Sequence, residues 1–493
     1  MSARRGPSVE PMLQMHLADP SSMGAAGEAV RAIADSRGLP AVRSTRIEAV
    51  VEELVREAFE REAVAGSEEV VVEVAFDGGS LWVSVLDHRL PLDPLQVRHL
   101  SSNRLAALGF VDALNVGFQG GSGNVVHVEA RLAGDLEGTH EPHESDLAHD
   151  TTQELIDSVI IRRMVPDDAP SLIRCLYRSY GYSYPDRDLY DVHAIRRLLA
   201  TETMLSVVAV LPDGEVVGHL ALVYEEPGDL SPESGRLVVD PRLRGHHFTE
   251  RLNVLRAELA ELTGMVGMWS KAVTNHPISQ HLAVSYGATE VGLLIGSQPT
   301  EVVQVGQPNP EAGWRSLMLL YRPATAIAPR RCVLPAHLAP MLEELADRTG
   351  IPREVSTTST DPVASRTSLR THLHPEHGLA HLRTRTIGRD LRRRVVHELR
   401  GLAAVRPGAV HLDIPLADPG AAWAAGELEH LGFCWAGWIP ELTGAGDVLR
   451  YQRVGDHLVD VDHIEVASEH GAAMRDFTLA EWHRVKRAKL TGA

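Results

Sequence analysis

Residues 235–258 read GRLVVDPRLRGHHFTERLNVLRAE, and the order of residue types in them decides the fold around them. A β-branched apolar run, Leu237-Val238-Val239, stops at Asp240-Pro241. A basic turn follows, Arg242-Leu243-Arg244-Gly245, after which Leu252, Leu255 and Leu259 recur at helical spacing. A strand that enters a helix through a tight turn aims several backbone N–H groups at one place, and the helix dipole adds positive potential there. Arg242 and Arg244 add charge, Gly245 lets the backbone come close, and His246, His247 and Thr249 complete the corner. Such a corner suits a phosphate or pyrophosphate.

Working outward, the neighbouring segments alternate strand and helix. Val159–Met164 reads as a strand, and Asp167-Asp168 with Pro170 opens the helix SLIRCLYRSY. The stretch at and after its end, with Tyr180, Tyr182 and Tyr184, is rich in tyrosine for a chain only 5% aromatic. A hairpin about Pro212-Asp213-Gly214 leads into the corner. Beyond it come the strand Trp269–Val273, a helix from Ile278, Tyr286-Gly287-Ala288 and the closing strand RSLMLLYRP.

This succession over residues 155–325 resembles the GNAT N-acetyltransferases. Arg242 and Gly245 match the first two fixed positions of their Arg/Gln-x-x-Gly-x-Gly/Ala motif, and the third falls on His247. The resemblance implies an α/β mixed-sheet fold and acetyl-CoA as cosubstrate. Its pyrophosphate would sit on Arg242–Thr249 and its pantetheine arm on the amides of Val238 and Val239. It implies direct transfer to an amine (a small molecule, a peptide or a protein lysine), with Tyr180, Tyr182 and Tyr184 walling the acceptor pocket. Because an ammonium is no nucleophile, a base must take a proton. Glu233 stands where the family often has one, with Glu225 and Glu226 as rivals. The family's leaving-group tyrosine aligns with Ala283, so Tyr286 and His276 are the candidate acids.

The totals bound the rest. A chain of 493 residues has room for about three domains. A net charge of −18 argues against nucleic acid and anionic membranes as partners. Three scattered cysteines, no apolar run of spanning length and no secretory signal point to a cytoplasmic protein without a metal site.

Residues 1–22 read as a mobile N-terminus. Residues 23–133 give two helices, a hairpin at Asp77-Gly78-Gly79, a third helix and a strand after Gly120-Gly121-Ser122-Gly123. EELVREAFERE and VLDHRLPLDP within them resemble the N-box and adenine box of GHKL ATPases, above all anti-sigma-factor kinases. That resemblance implies ATP and magnesium on Glu53, Glu57 and Asp87. Yet Glu57 replaces the family's asparagine and the lid glycines are missing, so the site reads as degenerate. Residues 134–154 read as a linker.

Residues 326–493 look like a second, degenerate GNAT-like copy. Gly287 and Gly292 in YGATEVG answer to Gly432 and Gly437 in LGFCWAG, but no Arg-x-x-Gly-x-Gly accompanies them. The whole reads as an N-acetyltransferase with a regulatory or relic ATPase-like front, with room for a homodimer. The alternative is a non-catalytic signalling scaffold whose front binds a regulatory protein and whose GNAT-like parts sense acyl-CoA or dimerise.

Overall fold

The computed structural model describes residues 10–491 except 65, 67, 78, 93–99, 101, 103–105, 107–109, 119–122, 132–155, 182–183, 300–313, 359, 375–378, 403–406, 456–458 and 460. The expected linker at 134–154 lies outside the described residues, as does Tyr182.

The front module contains β1 (Leu13–Leu17), α1 (Met23–Ser36), α2 (Ala41–Glu60), β2 (Val70–Asp77), β3 (Ser80–Asp87), β4 (Ala113–Phe118) and β5 (Asn124–Arg131). The strands form one antiparallel sheet in the order β1-β2-β3-β5-β4. Alternation puts Val70, Val72 and Val74 of β2 with Val83 and Val85 of β3 on one face. There they meet Val30 of α1 and Ile47, Val51 and Leu54 of α2. One expectation is corrected here. Residues 13–17 are not part of a mobile terminus, because β1 pairs with β2 from Leu13↔Val74 to Leu17↔Val70.

The remainder is built on a single twelve-stranded sheet. Its first half runs β6 (Ile160–Arg163), α3 (Ala169–Tyr180), α4 (Val192–Ala200), β7 (Met204–Val210), β8 (Val216–Val223), β9 (Glu233–Val239), α5 (Phe248–Leu262), β10 (Gly267–Val273), α6 (Ile278–Ser285), β11 (Thr289–Pro299) and β12 (Trp314–Pro323). The second half runs β13 (Arg330–Val333), α7 (Ala339–Thr349), β14 (Arg353–Ser356), β15 (Ser368–His374), β16 (Leu379–Thr386), α8 (Leu391–Leu402), β17 (Ala409–Pro415), α9 (Ala421–His430), β18 (Cys434–Thr443), β19 (Gly446–Val454) and α10 (Glu469–Thr491). The strand order is β15-β16-β17-β19-β18-β11-β12-β10-β9-β8-β7-β6, with β13 and β14 paired apart. The mixed α/β class read from the sequence is the one found.

The two halves join at β11 and β18, where Gly292 registers against Gly437. A Cβ on Gly292 would stand 2.1 Å from the Ala436 carbonyl oxygen, so only glycine lets these backbones meet. Gln452 locks the seam, since its amide donates to the carbonyls of Leu293 and Trp435 and its oxygen accepts from the Ile295 N–H. α10 lies across both seam strands and sets Phe477 edge-on to Trp435 at 5.6 Å. α3 and α4 cover one face of the first half, and α5 covers the other.

Candidate functional site

A cleft in the sheet begins where one ladder stops. β9 and β10 run parallel but share one registered pair, Glu233↔Trp269. Beyond it β9 follows β8 while β10 follows β12, so the two strands diverge toward their C-terminal ends. A bulge drives the divergence: Ala221↔Gly235 is followed by His219↔Val238, which sets Arg236 and Leu237 against one residue of β8. Arg236 takes φ 58° there, and its guanidinium bonds Asp186 at 2.7 Å. His219 braces the bulge from behind. Its Nδ1–H donates to the Arg236 carbonyl at 2.9 Å, leaving Nε2 to accept from the Ser206 hydroxyl at 3.1 Å. Complete burial pushes this imidazole down to about 4, so it is neutral.

The two predicted arm-holding amides diverge. Asp240 N–H donates to the Val217 carbonyl at 2.9 Å, which makes Gly218↔Val239 a non-bonded pair of the ladder. The Val239 amide therefore faces the open side of β9, and alternation turns that of Val238 toward β8.

At the top of the cleft the turn has two left-handed residues, Gly245 at φ 86° and His247 at φ 59°. His247 is the N-cap of α5 but makes no side-chain cap bond, so the helix's first amides are left for an outside acceptor. Gly245, His246 and His247 are exposed, and Thr249 lies in the first turn. Arg242 departs from the expected role. Its Nε and Nη2 bond the buried Asp240 at 2.9 and 2.8 Å, and Nη2 also reaches Glu215 at 2.9 Å. Arg178 pairs with both of those acids and reaches Glu62 of the front module at 3.3 Å. Arg242 thus serves the corner's own acids.

On the α3 face of the cleft, Glu233 forms an ion pair with Lys271 at 3.1 Å. Lys271 lies over the ring of buried Trp269, and Arg450 from the second half lies 5.1 Å from the same ring. Tyr180 and Tyr184 are half-buried with ring centroids 4.9 Å apart. Burial raises both phenols, Tyr180 to about 12. The rival bases are occupied. Burial pushes Glu225 up, but Arg450, His381 and Arg383 outweigh it and carry it down to about 2. Glu226 accepts from Arg385 at 2.6 Å and lies 3.0 Å from His372 Nε2. Tyr286 ends α6 near Arg256 and Glu250, with its phenol raised by burial. His276 keeps a buried Nδ1 without a partner.

Sequence reading missed Lys271, Arg450 and the cluster that joins the halves. Asp413 there receives Arg450 at 2.7 and 2.8 Å and lies 2.9 Å from His381 Nε2. One signal was at hand: Lys271 is one of only three lysines in the chain. Nothing local announces Arg450, whose ring partner lies far away in sequence.

The second half has no equivalent cleft. β16 and β17 pair continuously from Leu379↔Ala409 to Arg383↔Asp413. The amides of its turn are occupied as well. Ile387 N–H donates to Asp418, Gly388 N–H to the Thr367 hydroxyl and Arg389 N–H to the Ala364 carbonyl.

In the front module each predicted nucleotide residue has an internal partner. Asp87 is paired with Arg61 and accepts from Asn124 and from the Arg89 N–H. Glu57 is buried, accepts from the Ser102 amide and hydroxyl at 2.9 and 2.5 Å, and is raised by desolvation. Glu53 is paired with Arg56. Among the described residues no helix is long and apolar enough to cross a membrane.

No family model matches the sequence, and no curated protein matches it. Among solved structures, the chain is similar to a GNAT superfamily phosphinothricin acetyltransferase from Sinorhizobium meliloti in complex with AcCoA. That match is 18% identical and covers 34% of this chain and 88% of that one, with a TM-score of 0.28. A ribosomal-protein-alanine N-acetyltransferase from Brucella melitensis is 20% identical, over 33% of this chain and 99% of that one, with a TM-score of 0.28. The spermidine/spermine N-acetyltransferase SpeG from Vibrio cholerae is 13% identical, over 34% and 95%, with a TM-score of 0.27. These likenesses take in about a third of the chain.

Proposed function

We propose that residues 155–325 form an acyl-CoA-dependent N-acetyltransferase that acts on an amine: a small molecule, a peptide or a protein lysine. One observation carries this reading. A two-strand cleft opens after a single rung and ends at an uncapped helix N-terminus with two left-handed residues. A diphosphate fits the amides and dipole there, with Arg244 beside them, while the Val239 amide faces the cleft along its length. Arg242 holds Asp240 and Glu215 and so steadies the turn.

Glu233 is the candidate base, with Lys271 holding its carboxylate on the side where Tyr180 and Tyr184 would receive an acceptor. Tyr286 and His276 are the candidates for returning a proton to the departing thiolate, which can also leave unaided because a thiol pKa of about 8.5 makes it a fair leaving group. The closed β16–β17 ladder supports one active cleft per chain, with the second half completing its wall by setting Arg450 against Trp269 of β10.

The alternative, a scaffold that senses acyl-CoA without turnover, draws support from Arg242 being engaged by its own neighbours. A screen of amine acceptors with acetyl-CoA, read by thiol release, separates the two. Acetyl-CoA raises the melting temperature under both readings, and Gly245→Asp removes that shift by repelling the diphosphate. Thiol release with at least one amine supports transfer. An unshifted wild-type melting curve overturns both readings.

A further inference from the structure

Arg256 has no place in the scheme above. It lies on α5, is only 7% exposed, and donates from Nη1 to the Ser234 hydroxyl at 2.6 Å. Its Nε is buried without a partner, and among the described residues no carboxylate pairs with it. Arg178 and Arg236, by contrast, each have an acid. Burial, with Arg322 of β12 near enough to repel it, drags the Arg256 guanidinium down to about 10. A desolvated cation without a counter-ion is costly, and a second cation beside it raises that cost. A group of this kind, left without a carboxylate, is suited to an anion that arrives from outside.

Its position says which anion. Ser234 follows Glu233, the last rung before β9 and β10 part. Because of the bulge, Val239 and Ser234 face Gly218 and Leu222, so Ser234 stands four residues of β8, about 14 Å, below Val239. An acyl-CoA whose diphosphate sits at Gly245 would therefore bring its acyl end, not its phosphate end, to Arg256. Adjacent strand residues face opposite ways. Ser234 points to α5, whereas Glu233 lies with Lys271, Trp269 and the tyrosines on the α3 side, where the acceptor is placed. A carboxylate at Arg256 therefore travels with the donor.

We infer that Arg256, reinforced by Arg322, receives the free carboxylate of a dicarboxylic acyl group, so that the preferred donor is a succinyl-type ω-carboxyacyl-CoA. This rests on the acyl-CoA reading of the cleft. Titration calorimetry on the full chain, with S-(3-carboxypropyl)-CoA against S-butyl-CoA, tests it without any acceptor. These are stable thioethers that differ only in the terminal carboxylate.

The expected result is at least tenfold tighter binding of the carboxylate, about 1.4 kcal/mol, with the advantage lost in Arg256→Met. Equal or tighter binding of the butyl compound, with acetyl-CoA still bound, overturns the acyl preference alone. Failure of every CoA derivative to bind overturns the cleft reading and this inference together. The wild-type comparison decides even if the variant does not fold.

Discussion

At position 247 an imidazole sits where the backbone asks for glycine. An L-residue in the left-handed region costs about 1–2 kcal/mol, less for histidine than for a β-branched residue. His247→Gly removes that strain but gives the unfolded chain more freedom, so its net effect stays within about 1 kcal/mol. His247→Val, with the same backbone at φ 59°, loses about a further 1 kcal/mol. Urea unfolding of the two variants checks the pair, and an indifferent valine would mean that the turn is not left-handed in solution.

His219 gives a second prediction at this scale. Its folded pKa of about 4 lies below the ordinary 6.5. The unfolded chain therefore binds the extra proton between those values, and stability falls as pH drops through 6.5 toward 4. At pH 5 the loss from this one group is about 2 kcal/mol relative to pH 7. His219→Gln should flatten the acid limb of the stability profile by that amount. An unchanged slope would show the imidazole to be solvated.

Among the elements, the seam and the splay are the decisive ones. Gly292→Ala puts a methyl into the Ala436 carbonyl and the Gly437 backbone, neither of which can yield without parting β11 from β18. We expect a loss of at least about 2 kcal/mol in urea unfolding, against a gain of up to about 1 kcal/mol for Gly426→Ala inside α9, where a Cβ meets nothing within 4 Å.

Much at this scale was legible in the sequence. The run Leu237–Val239, the stop at Asp240-Pro241 and the leucine spacing in α5 are local patterns, and they mark the strand, turn and helix where they lie. The splay was not legible. It depends on which strand β9 follows after Glu233, which is settled by a bulge and by His219 beneath it. The partners of Arg242 were hidden for the same reason. Its charge and spacing suit a phosphate, but Glu215 lies 27 residues away, on a hairpin that only the fold brings to it.

Taken as a whole, the molecule couples a front module to the corner through a short ionic path. Tyr177 donates to the His88 carbonyl at 2.9 Å, and Arg178 links Glu62 to Glu215 and Asp240. The same front module has Asp87, Glu57 and Glu53 bound internally. ATP with magnesium should therefore leave its melting curve unmoved and show no saturable hydrolysis, in assays of the full chain. A clear shift would mean that those internal pairs open for a nucleotide.

The continuous sheet also sets a timetable for synthesis. Strand β11 is complete when residue 299 has been made, but the strand that covers its edge ends at residue 443. At ordinary elongation rates of 5–20 residues per second, that edge waits about 7–30 s on the ribosome with nothing paired to it. A bare strand edge is a template for other chains. Nascent copies should thus be sensitive to crowding and dependent on chaperones in that interval, even though β9, β10 and α5, which frame the cleft, have by then been made.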